Sequence, residues 1–192
     1  MLDLDSVFVQ CSAPTICGIK PGNMFSVNVN NYSAKKVRRW KREFFKQGVL
    51  VKTIRVSDSL ILFFVYDFIW LRRILSDRLV KAFLKGKDYP VEKGSFAIIK
   101  EMFLRLEKSG GFPHEVGIFL GYPLADVIAF EKHDGKNCKY CGYWKAYSNV
   151  DSAKACCCRY NNCSKMCKQW FEEGFSIPQI IREYKKVTEA VA

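Results

Sequence analysis

One of the chain's two histidines, His114, stands beside Glu115 directly after Pro113, and this pair is the first candidate for chemistry. An imidazole titrates near neutrality and serves as general acid, general base or metal ligand. Pro113 suits the first position of a helix, so both side chains fall in a first turn, where the helix dipole alone already favours a carboxylate. The competing reading of His114 is structural, a ring hydrogen-bonded to a loop carbonyl. The pair lies within GGFPHEVGIFLGYPLADVIAF, residues 110–130, a double-glycine break followed by two proline-started helices.

Nine cysteines are the second source of chemistry. Cys138 and Cys141 form a C-x-x-C, Cys163 and Cys167 a C-x-x-x-C further on, and Cys156, Cys157 and Cys158 are consecutive, with His133 nearby in the chain. Thiolates at such spacing hold zinc tetrahedrally or take part in reversible thiol chemistry. However, the second pair lies in a helical region, and no glycine-rich knuckle accompanies the first. One helical turn between Cys163 and Cys167 is also how small core residues fall. No metal ligands and no cofactor are therefore assigned from the sequence. The odd count, the consecutive run and the acidic start MLDLDSVFVQ, where a secretory signal would place positive charge, predict reduced thiols in the cytoplasm.

The net charge is +12, and half of that excess sits in residues 34–47, which carry seven basic side chains against one acid. There Val37, Trp40 and Phe44 recur at helical spacing, while Lys35, Arg38, Arg39, Arg42 and Lys46 line the other side. Such a stripe binds phosphates or an acidic partner, or is simply a solvated face. Residues 110–130 have the glycine spacing of a helix-turn-helix, but the second helix offers Leu124, Ala125, Asp126, Ile128 and Ala129 where base edges and phosphates require basic or polar groups. A tight helical hairpin fits better, and nucleic-acid reading through it is not expected.

The elements that must position these groups follow from pattern and punctuation. At 192 residues and 49% hydrophobic composition the chain buries a sizeable core and reads as one domain, 1–192, with a helical appendage from about residue 150. Its longest apolar run, residues 60–70, contains Asp67 and falls short of the roughly 20 residues of a membrane span. Residues 3–9 read as a short helix or strand, 13–23 as a loop, 34–47 as the basic helix, and 49–56 with 60–66 as a β-hairpin. Helices are predicted through 71–84, capped by Asp67 or Ser76, then over 91–108, 151–173 and 176–187; residues 139–147 have strand composition. This order predicts an α+β fold, a small sheet covered by helices, with a helix-rich C-terminal half.

APTICGIKPGNMF near the start, FPHEVGIFLGYPLADVIAF in the middle and GKNCKYCGYWKAY after it closely resemble the motifs of a bacterial protein family of unknown function, common in anaerobes. The resemblance covers most of the chain and implies no assigned activity. It does imply a link to redox or iron supply, since relatives tend to be encoded near flavodoxin and ferrous-iron uptake genes. The cysteine run and the Cys163/Cys167 pair stand outside its motifs. If the motifs mark a site, its members here are Thr15, Lys20 and Asn23, then His114 and Glu115, then Tyr143, Trp144 and Lys145, although packing accounts for Trp144.

Three functions follow as expectations. The first is a cytoplasmic binding or accessory protein of redox or iron physiology, whose partner is a small anionic ligand or an acidic protein and not a membrane. The second is a small enzyme in which His114 is the acid or base and Lys20 or Lys145 holds an anion in a shared concave site. The third is nucleic-acid binding through the basic helix.

Overall fold

The computed structural model describes residues 3–108 and 112–190. Its helices are α1 Leu4–Ile16, α2 Ala34–Phe45, α3 Phe68–Ser76, α4 Arg78–Lys85, α5 Ser95–Glu107, α6 Val116–Phe119, α7 Leu124–Lys132, α8 Val150–Glu172 and α9 Ile177–Glu189. Its strands are β1 Gly22–Asn28, β2 Val49–Arg55, β3 Leu60–Asp67, β4 Tyr140–Cys141 and β5 Lys145–Ala146. The fold is α+β with a helix-rich C-terminal half, and it divides into two compact units. One comprises the chain up to Asp67 together with the part from Cys158 onward; the other is Phe68–Cys157.

The first unit is built on an antiparallel sheet ordered β1-β3-β2, with Gly22 opposite Tyr66 and Val49 opposite Asp67. β3, LILFFVYD, takes the central place because nearly all of it is apolar: Ile61, Phe63 and Val65 enter the main core, and the alternate residues Leu62, Phe64 and Tyr66 are buried as well. Ser57 tightens the β2–β3 turn by accepting from the backbone N–H groups of Ser59 and Leu60. Helices α1 and α2 pack on the sheet, and Phe8 of α1 stacks 4.0 Å from Trp40 and 5.5 Å from Phe44, centroid to centroid. Cys163 and Cys167 of α8 and Ile177, Ile180, Ile181 and Tyr184 of α9 complete this core. The amphipathic reading of the basic helix holds, since α2 buries Val37, Trp40 and Phe44, and Ser33 caps it.

Around residues 13–23 the structure departs from the loop expected there. α1 continues to Ile16 with Pro14 inside its last turn, and Gly18, at φ +76°, ends it. Proline removes one helical hydrogen bond, but burial of Phe8, Val9, Ala13 and Ile16 outweighs that local preference. The Pro14 carbonyl then accepts from both Ile19 and Lys20, which turns the chain into β1. That strand is invisible to patterning because its sequence, GNMFSVN, mixes polar and apolar residues without strict alternation.

In the second unit, Asp77 caps α4 by accepting from Leu79 and Val80, the role expected of Asp67 or Ser76; Asp67 instead ends β3. Residues 139–147 do not extend the main sheet. They form the separate β4–β5 hairpin, whose corner residue Gly142 is so enclosed that a Cβ there would stand 2.5 Å from the Cys157 sulfur. The α6–α7 hairpin is likewise set by glycine: a Cβ on Gly117 would stand 2.9 Å from Val127 and 3.1 Å from Tyr122, and Gly121 adopts φ +80° in the turn. Among the described residues, no helix is long and apolar enough to cross a membrane.

Candidate functional site

The strongest constellation of chemically competent side chains lies in the first unit and joins distant parts of the chain. Cys17 caps the C-terminus of α1, and Cys163 and Cys167 lie one turn apart on α8. Their three sulfurs all lie within 4.8 Å of one another, with Cys17 and Cys167 at 3.6 Å. All three residues are buried, Cys167 completely. Among the described residues this is the only group of three or more histidine, cysteine or acidic side chains whose ligating atoms converge this closely. The Cys138–Cys141 pair that spacing offered as partners for Cys163 and Cys167 belongs to the second unit.

Proton affinities in the triad are split by its own hydrogen bonds. Those from Cys167 and Cys17, helped by the Tyr184 phenol, hold Cys163 well below the usual thiol range against the opposing effect of burial. The hydrogen bond to Cys163 and the charge there push Cys17 and Cys167 up, with burial adding to both shifts. Burial, then the Cys163 charge, raises Tyr184. The three thiols therefore titrate as one coupled group, within which the hydrogen bonds favour the thiolate at Cys163. Thiolates sharing one ion at about 2.3 Å stand roughly 4 Å apart, so the observed spacing suits a single soft metal ion.

Near the triad in sequence, Thr15 and Asn23 are buried and joined by a 2.6 Å hydrogen bond from the threonine hydroxyl to the asparagine side-chain oxygen. Lys20 is also buried, 2% exposed, its ammonium 5.8 Å from the centre of the Tyr160 ring. The three residues of the first motif thus form interior polar structure between α1 and β1. The other motif residues belong to the second unit.

There Glu115 is buried and accepts from the Tyr89 hydroxyl at 3.0 Å and Arg105 at 3.2 Å. Arg105 also bonds Glu101 and the Lys87 carbonyl and lies 4.0 Å over the Tyr89 ring. Burial, and next the charge of Glu115, push the Tyr89 phenol up. His114 is exposed, its ring 5.1 Å from that of Phe130. Lys145 lies 5.7 Å over the same Phe130 ring and donates to the Gly135 carbonyl at 2.7 Å. His114 and Lys145 therefore share a neighbour, whereas Glu115 is engaged by Tyr89 and Arg105. The Tyr143 backbone accepts from the Tyr122 hydroxyl and donates to the Cys157 sulfur.

Asp126, weighed from sequence only as an obstacle to phosphate, is buried and organises residues 144–148. It accepts from the Trp144 indole, from the backbone N–H of Tyr147 and Ser148, and from the Ser148 hydroxyl. Burial alone would raise its pKa, but these donors lower it on balance.

On α2 the basic residues divide. Arg39 is bound to Asp5 at 2.6 Å, and Lys36 bridges Asp3 and Asp5. Lys35, Arg38, Arg42 and Lys46 are exposed and form no ion pair among the described residues.

Cys17 was missed by spacing because it is 146 residues from Cys163, the difference of the two positions. Its one sequence signal was a burial cue, a small thiol between apolar Ile16 and Ile19 at the end of an apolar stretch. No curated protein and no solved structure matches the chain. The family model described as "Protein of unknown function (DUF3793)" matches residues 8–181, nearly its full length, and the chain belongs to that family.

Proposed function

We propose that this protein is a binding or accessory protein of redox and metal physiology whose working centre is the thiol triad of Cys17, Cys163 and Cys167. The observation that carries this reading is the convergence of three buried sulfurs within 4.8 Å of one another from opposite ends of the chain. Inert core thiols have no need to meet, because a buried cysteine packs as a small apolar residue wherever it falls. The acid–base alternative has less support: Glu115 is engaged by Arg105 and Tyr89, and Lys145 donates to a backbone carbonyl. The test is elemental analysis and metal titration of reduced full-length protein under anaerobic conditions. Uptake of one soft metal ion per chain, lost in a Cys163→Ser Cys167→Ser double variant, supports the reading; no uptake by the folded wild-type chain ends it.

The second reading concerns how the protein meets its partner, and the exposed Lys35, Arg38, Arg42 and Lys46, which form no ion pair among the described residues, favour it. A cationic face of this kind steers an acidic protein into contact in a salt-dependent way. Affinity for an acidic electron-carrier protein is expected to fall with added salt and with Lys35→Glu Arg42→Glu. Stronger retention of DNA or RNA than of acidic protein would move the assignment to nucleic acid.

A further inference from the structure

Taking the triad as the working centre, we infer that its ion is monovalent copper, held by Cys17, Cys163 and Cys167 in trigonal, all-sulfur coordination without water. The argument is one of coordination number. Structural zinc takes four ligands almost without exception, and catalytic zinc fills its fourth position with water or substrate. Here three thiols converge, and no fourth histidine, cysteine or acidic side chain joins them among the described residues. The centre is closed as well: Cys17, Cys163 and Cys167 are 6%, 1% and 0% exposed, packed among the apolar residues of the main core. Soft thiolate donors select copper(I), zinc and iron–sulfur clusters. Clusters are held by four cysteines spread around several iron atoms, whereas these sulfurs are spaced for one ion. Copper(I) is the member of that set for which three sulfurs are a complete shell.

Each ligating thiol releases its proton to solvent and no electron moves, so three thiolates and one copper(I) carry two negative charges. Tyr184 and Cys163 share a hydrogen bond, an outer contact of the kind that orients a ligating sulfur.

The experiment titrates reduced full-length protein anaerobically with copper(I) and, separately, zinc(II), each against a chromophoric chelator, and records X-ray absorption of the loaded forms. One copper(I) per chain with three sulfur neighbours and no oxygen or nitrogen is the expected result. Affinity should fall about a hundredfold or more in Cys17→Ser and in Cys163→Ser and stay unchanged in Cys138→Ser Cys141→Ser. Circular dichroism checks each variant, and the wild-type absorption spectrum decides the coordination even where a variant fails to fold. Zinc(II) bound with an oxygen or nitrogen fourth ligand and outcompeting copper(I), or full copper affinity in a folded Cys17→Ser, overturns the copper assignment while leaving a metal centre. Failure of both ions to bind removes the centre itself.

Discussion

The sulfurs of Cys17 and Cys167 lie 3.6 Å apart although 150 residues separate them in the chain. One comes from the end of the first helix and the other from the long helix of the C-terminal region, so the contact exists only once the first unit has assembled. Any agent that reaches one of these thiols must first open that core.

This makes native alkylation selective. Cys141 and Cys158 are exposed, whereas Cys17, Cys163 and Cys167 are buried. A small alkylating reagent applied to folded, reduced, metal-free protein at neutral pH is expected to modify Cys141 and Cys158 first, and the triad only in denaturant. Cys163 favours the thiolate, but burial withholds it from the reagent. Peptide mass spectrometry over a time course provides the readout, and equal labelling rates at all five positions would contradict the buried placement.

Arg105→Ala is expected to destabilise the second unit by about 3 kcal/mol, because it leaves the Glu115 carboxylate buried with the Tyr89 hydroxyl as its remaining side-chain donor among the described residues. Glu115→Gln should cost less, since a neutral amide still accepts from Tyr89 and Arg105 keeps Glu101. Urea denaturation of the full-length variants measures both. A milder effect for Arg105→Ala than for Glu115→Gln would show that the buried charge is not what Arg105 compensates.

Asp126 gives the protein an acid limb. Its folded-state pKa lies below the unfolded value of about 3.9, so its stabilisation is complete above that value and is lost as pH falls through the folded pKa. Asp126→Asn should cost about 2 kcal/mol at neutral pH through weakened bonds to Trp144, Tyr147 and Ser148, and should flatten stability against pH below 4. Melting temperatures from pH 2.5 to 7, followed by circular dichroism, test the sign; an unchanged acid limb in the variant assigns it elsewhere.

Gly117→Ala is expected to cost about 1–3 kcal/mol, since the added methyl would stand 2.9 Å from Val127 and 3.1 Å from Tyr122. Val127→Ala destabilises by itself through a cavity, yet in combination with Gly117→Ala it should recover part of the loss. Strict additivity of the two substitutions would mean that α6 and α7 do not meet as described.

Local physics was enough for a large part of the architecture. The 3.6-residue spacing of Val37, Trp40 and Phe44 defined α2, the apolar run of β3 and its hairpin with β2 followed from strand period, and the helix expected over 176–187 is α9. The sequence likewise established the family, whose model matches residues 8–181. What only the tertiary structure decided depends on contacts between distant segments: β1, whose mixed sequence becomes a strand by pairing with β3; the extension of α1 through Pro14, secured by core burial; and the meeting of Cys17 with Cys163 and Cys167. Spacing along a chain reports neighbours within a helical turn or a hairpin, and it carries no information on which helix end will be packed against a cysteine 150 residues away.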